Sequence, residues 1–106
     1  MARPVRLREV AAADVDGAIA YYRSANDASA GAPIDAIQRG MERIARSPNV
    51  GTLRFAYELG IPGLRAWPLT GFPYIVFYLV GEDAIDVLRM LHQRRDVSAS
   101  LDVSTR

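Results

Sequence analysis

At 106 residues, half of them hydrophobic, the chain is the length of one domain with a single modest core, which excludes global disorder. A formal net charge of +1 argues against coating nucleic acid by bulk charge, and the lack of cysteine excludes disulfides and thiolate metal sites. All thirteen basic residues are arginine, a group that forks onto carboxylates or phosphates, although genome composition alone can produce the same bias.

Met1 opens no signal-peptide pattern, and no apolar run is long enough to span a bilayer, so the cytoplasm is the expected compartment. Pro4 to Arg8 alternates, which predicts a first strand with Val5 and Leu7 inward and Arg6 and Arg8 outward. From Glu9 the period becomes helical. Ala11, Val15, Ala18, Ile19 and Tyr22 form a stripe, and the acids Glu9, Asp14 and Asp16 lie in the early turns, where the helix dipole favours them. The helix is expected to end between Asn26 and Ala30.

Pro33 opens a second helix, since its missing N–H is not needed in a first turn. Ile34, Ile37, Met41, Ile44 and Ala45 form its apolar stripe, while Asp35, Gln38, Arg39, Glu42, Arg43 and Arg46 face water. Ser47-Pro48-Asn49 stops it. Gly51 to Gly63 is the least regular stretch and contains a Gly60-Ile61-Pro62-Gly63 turn.

Three strands then follow. Arg65 to Leu69 contains Pro68, which cannot donate to a ladder and so predicts a short or edge strand. Tyr74 to Val80 is aromatic and β-branched; Ile75, Phe77 and Leu79 share one face, expected to press on the core and the helices, and Tyr74, Val76 and Tyr78 share a partly wet face. After a Gly81-Glu82-Asp83 turn of hairpin length, a last strand from about Ala84 places Ile85, Val87, Arg89 and Leu91 opposite Asp86, Leu88, Met90 and His92. Past Asp96 the tail is weakly patterned, with Val97 and Leu101 as possible anchors of one helical turn. The expected fold is a two-layer α+β domain over residues 1–106, a helical hairpin packed on an antiparallel sheet in the order β-α-α-β-β-β.

Arg65-Ala-Trp67-Pro68-Leu69, Phe72-Pro-Tyr74 with Tyr78, and above all Arg89-Met-Leu-His92-Gln-Arg94-Arg95-Asp96 give this plan a resemblance to the RelE/ParE toxin superfamily. The last motif looks most like the ParE branch, whose final strand commonly reads Arg-x-Leu-His-x-x-Arg-Asp. The likeness runs from Pro4 to about Leu101. It implies the toxin of a type II toxin–antitoxin module, blocked by a ParD-like antitoxin whose extended C-terminal segment wraps helices and sheet. The ParE branch is known for poisoning DNA gyrase, whereas the RelE branch cuts mRNA on the ribosome. A third outcome is a toxin-like fold without toxicity.

Cleavage of RNA at a 2′-hydroxyl needs a base, an acid and cations for the developing charge. Arg65, Arg89 and His92 are the candidates for such a catalytic set. The chain has no lysine and no tyrosine after Tyr78, which weakens a nuclease and favours a binding inhibitor. For partner binding the candidates are Arg65, Trp67, Tyr74, Tyr78, Arg89, His92, Arg94 and Arg95. The structural alternatives are an Arg89 ion pair with Asp86 or an early-helix acid, a His92 bond to Asp96, and aromatic packing. No cofactor, metal or sequence-specific nucleic-acid binding is expected.

Overall fold

The computed structural model describes residues 3–24 and 32–93. Their order is β1 (Val5–Leu7), α1 (Glu9–Ser24), α2 (Ala32–Arg46), a 3-10 turn (Pro48–Val50), α3 (Arg54–Leu59), β2 (Arg65–Pro68), β3 (Tyr74–Val80) and β4 (Ile85–His92). The α+β class is as expected. The predicted end of the first helix and everything from Arg94 onward lie outside the described residues.

The four strands make one sheet in the order β1-β4-β3-β2. β2, β3 and β4 form the antiparallel meander, with Arg65 opposite Tyr78 and Tyr74 opposite His92. β1 lies parallel to β4, Val5 opposite Ile85, so the sheet is mixed and not antiparallel throughout. Parallel neighbours require a long crossover, and the segment holding the helical hairpin supplies it.

The expected faces are reversed. Tyr74, Val76 and Tyr78 form the core with Ala11 and Ala18 of α1 and Ile37 and Ile44 of α2. Ile75 and Phe77 pack instead with Leu64, Leu88 and Leu91 beneath Phe55, Ala56 and Leu59 of α3. Both faces are therefore covered. The tyrosine face is dry because the Tyr78 hydroxyl finds backbone partners inside the protein: it donates to the Pro48 carbonyl at 2.7 Å and accepts from the Gly51 N–H at 2.9 Å. A satisfied hydroxyl can be buried at little cost.

Two further differences have local causes. The β3–β4 register shifts between Phe77 and Tyr78, whose partners are Arg89 and Val87, so Leu88 is an extra residue. The bulge ends strict alternation on β4: Val87 and Met90 belong to the helix-side core and Leu88 and Leu91 to the other. Leu7, expected inward, is 38% exposed because β1 is a three-residue edge strand. Gly60 ends α3 in the left-handed region at φ 67°, with its N–H returned to the Ala56 and Tyr57 carbonyls.

Candidate functional site

α1 lies over β4 and sets Asp14 beside Arg89. The Arg89 guanidinium donates through Nε to Asp14 Oδ2 at 2.8 Å and through Nη2 to Oδ1 at 3.0 Å. Asp14 Oδ2 also accepts the Met90 N–H at 3.0 Å. Both side chains are about one-sixth exposed (16% and 15%), so the pair sits in a partly desolvated seam. One carboxylate thus receives three hydrogen bonds, two of them charge-assisted, and anchors helix to sheet. Of the two partners open to Arg89 in the sequence, the early-helix acid is the one used; Asp86 is engaged by Arg8 at 2.9 Å.

Next to this seam Ala13, Asp14, Gly17, Ala18, Tyr21, Tyr74 and Met90 line a groove of about 350 Å³. Tyr74 meets His92 edge-to-face with ring centroids 5.3 Å apart, as their cross-strand pairing requires. His92 is half-buried and Tyr74 buried.

At the opposite edge of the meander, Arg65 and Tyr78 converge on the segment from Pro48 to Gly51. Arg65 Nη1 donates to the Asn49 carbonyl at 3.1 Å and to the Gly51 carbonyl at 2.7 Å. Burial pushes the Tyr78 hydroxyl above the usual tyrosine pKa, opposed by the Gly51 hydrogen bond and the Arg65 charge. Gly51 is required by space: a Cβ there would lie 2.6 Å from the Tyr78 hydroxyl oxygen. An isolated bridge between Thr52 and Ala66 continues this latch along the outer edge of β2.

Trp67 stands apart from both clusters. It lines a groove of about 420 Å³ with Ala36, Arg39, Gly40 and Arg43 of α2, and with Thr70. The Arg43 guanidinium carbon sits 5.8 Å from the indole centroid. A Cβ on Gly40 would come within 2.5 Å of a Leu69 methyl, so glycine there leaves room for the Leu69 side chain just past β2.

The candidate residues therefore separate. Arg65 with Tyr78, Arg89 with Asp14, Tyr74 with His92, and Trp67 with α2 are four places and not one. Arg65 is on the edge strand β2 while Arg89 and His92 are on β4, with β3 between them. Arg65 does not join Arg89: β3 lies between their strands, and Arg65 Nη1 donates to backbone carbonyls. Arg94 and Arg95 lie outside the described residues. Sequence reading did not single out Arg39 and Arg43; their i, i+4 spacing beside an apolar stripe was the available signal. Among the described residues no three His, Asp or Glu side chains group as a metal site would require. No described helix is long and apolar enough to cross a membrane.

A family model described as the ParE toxin of the type II toxin–antitoxin system parDE matches residues 5–97. The chain belongs to the ParE toxin family. Two curated ParE relatives, both called Toxin ParE1 and from two strains of Mycobacterium tuberculosis, are 41% identical over 66 residues. That match covers 61% of this chain and 62% of each relative, so it spans less than two thirds of their length. A solved structure titled "Chromosomal ParDE TA system from P. aeruginosa" superimposes with a TM-score of 0.70 at 20% identity, covering 85% of this chain and 95% of the other. At that identity the superposition shows a shared fold.

Proposed function

We propose that this ParE-family chain is the toxin of a type II toxin–antitoxin module, that it inhibits DNA gyrase by binding, and that a ParD-like antitoxin holds it inactive in the cytoplasm. Family membership over residues 5–97 carries the toxin reading. The choice of binding over catalysis is supported by the Asp14–Arg89 seam. Arg89, one cation of a nuclease set, grips the Asp14 carboxylate with two nitrogens. Arg65, the other cation of a nuclease set, is committed to the Asn49 and Gly51 carbonyls.

A DNA supercoiling assay with purified gyrase and the purified chain tests this. Loss of supercoiling, with cleaved DNA accumulating, is the expected result. Unchanged supercoiling together with cut transcripts on translating ribosomes would assign a ribosome-dependent mRNA endonuclease instead. Harmless growth of a bacterial host expressing the chain alone would assign a toxin fold without toxicity.

A further inference from the structure

We propose that the outer face of α3 pairs with the same face of a second copy of this chain, the two helices running antiparallel about a twofold axis. Arg54 of each copy meets Glu58 of the other, and Leu53 and Tyr57 of the two copies pack in the row beside these ion pairs.

Three observations carry it. First, α3 is two-faced. Phe55, Ala56 and Leu59 pack against the cluster of Leu64, Phe77 and Leu88, which leaves Leu53, Arg54, Tyr57 and Glu58 outward. Leu53 and Tyr57, one turn apart, are 48% and 85% exposed, and Tyr57 is the most exposed large hydrophobic side chain among the described residues. A tyrosine and a leucine side by side in water have the composition of an interface anchor.

Second, the charges on this face suit a reversed copy of it better than they suit their own helix. Arg54 opens α3 and Glu58 lies near its end, the opposite of what the helix dipole favours, and arginine before glutamate is the weaker order for an i, i+4 pair. Among the described residues neither side chain makes an ion pair within 4.0 Å. The Arg54 guanidinium is held instead over the Phe55 ring, 5.3 Å from its centroid. An antiparallel second copy brings a glutamate to the N-terminal end of α3 and an arginine to its C-terminal end. That satisfies both charges and both dipole ends at once. Such a self-complementary patch is what a twofold contact requires.

Third, α3 covers the sheet face opposite the one that carries α1 and α2. Pairing through α3 therefore leaves the helical hairpin of each copy facing outward. A dimer would offer two such surfaces at once, and a partner with two binding segments would gain avidity from it. The face is small. Its tyrosines and leucines bury roughly 500 Å² between two copies, against roughly 1,200 Å² where stable interfaces begin, so the dimer is a weak one with a Kd on the order of 100 μM.

Sedimentation velocity of the intact chain, from well below to well above that concentration, is the test. The average mass is expected to rise towards twice that of the chain. Tyr57→Ser should weaken the association about tenfold, the loss of an interface anchor. Arg54→Glu and Glu58→Arg each set like charges across the axis and should leave a monomer. Mixing those two variants in equal amounts should restore the dimer, and so should both changes in one chain, because each case puts opposite signs back in register. Arg23→Glu, the same reversal on α1, should change nothing. Melting curves of the dilute variants check folding, and Arg54→Glu, which places an acid in the first turn, should not lower the midpoint. Constant monomer mass would overturn the proposal, as would association that ignores these changes or single reversals that mixing fails to rescue. A wild-type chain that stays monomeric while Tyr57→Ser weakens its hold on antitoxin or gyrase would give the face to that partner instead.

Discussion

Arg89 grips Asp14 with two nitrogens, at 2.8 and 3.0 Å, and the same carboxylate caps the Met90 N–H. Removing the acid takes two charge-assisted hydrogen bonds from a cation in a seam that is about one-sixth exposed and leaves a backbone donor short of its partner. Asp14→Ala is therefore expected to cost about 3 kcal/mol in urea unfolding. Arg8→Ala, which breaks an ion pair with both members at least 40% exposed, should cost less than about 1 kcal/mol. Equal losses in the two variants would remove the seam's claim to anchor helix to sheet.

Tyr78 ties stability to alkaline pH. Burial raises its folded pKa above the ordinary value of 10.0, so the folded state keeps its proton where the unfolded chain releases it. The sign follows by linkage: the contribution is complete below the unfolded pKa, about 10, and is lost as pH rises toward the folded value. Tyr78→Phe should lower stability by about 2 kcal/mol at neutral pH, because the Pro48 and Gly51 bonds vanish and the Gly51 N–H loses its acceptor. Melting temperatures measured from pH 8 to 11 should fall less steeply for the phenylalanine variant. Parallel curves would refute the assignment.

Two glycines should respond to alanine in opposite directions. At Gly51 the backbone is ordinary, φ −71° and ψ 150°, but the new methyl would meet Tyr78 and Arg65 at 3.0 Å or less. Gly51→Ala should destabilise by about 2 kcal/mol, and by less in a Tyr78→Phe background, where the closest atom is gone. At Gly17, within α1, nothing lies within 4 Å of the added carbon. Gly17→Ala should stabilise by about 0.5–1 kcal/mol through helix propensity. Thermal melts of the three variants decide the matter.

Arg94 and Arg95 follow the last strand in the sequence. Changing both to Ala is expected to weaken toxicity or antitoxin binding while stability moves by less than about 1 kcal/mol, the usual range for solvated charges. A large drop in melting temperature with undiminished antitoxin affinity would make them structural instead.

Hydrophobic periodicity made the two long helices and the strands of the meander legible, because each buries a repeating stripe. α3 was hidden: six residues hold too few turns for a period, and only Gly60, at φ 67°, marks its end. The bulge at Leu88 was hidden as well, since Leu88 and Met90 are both apolar and either fits strict alternation. Which sheet face the helices cover could not be read from hydroxyl count, because Tyr78 satisfies its oxygen on Pro48 and Gly51, distant in sequence. The candidate site was legible where a side chain meets a side chain, as with Arg89 and an early-helix acid. It was not legible where the partner is a carbonyl, as with Arg65, or where two exposed arginines rim a groove that only packing creates.

Val5 pairs with Ile85, so the first of the described strands docks beside the last of them. Until β4 has emerged, β1 has no neighbour among the described strands and α1 has no Arg89 to hold. A contact of such long sequence separation closes late and slowly. Synthesis of nearly the whole described chain therefore precedes completion of its sheet, and a nascent fragment stopped short of Ile85 carries β2 and β3 without the strand that joins them to β1.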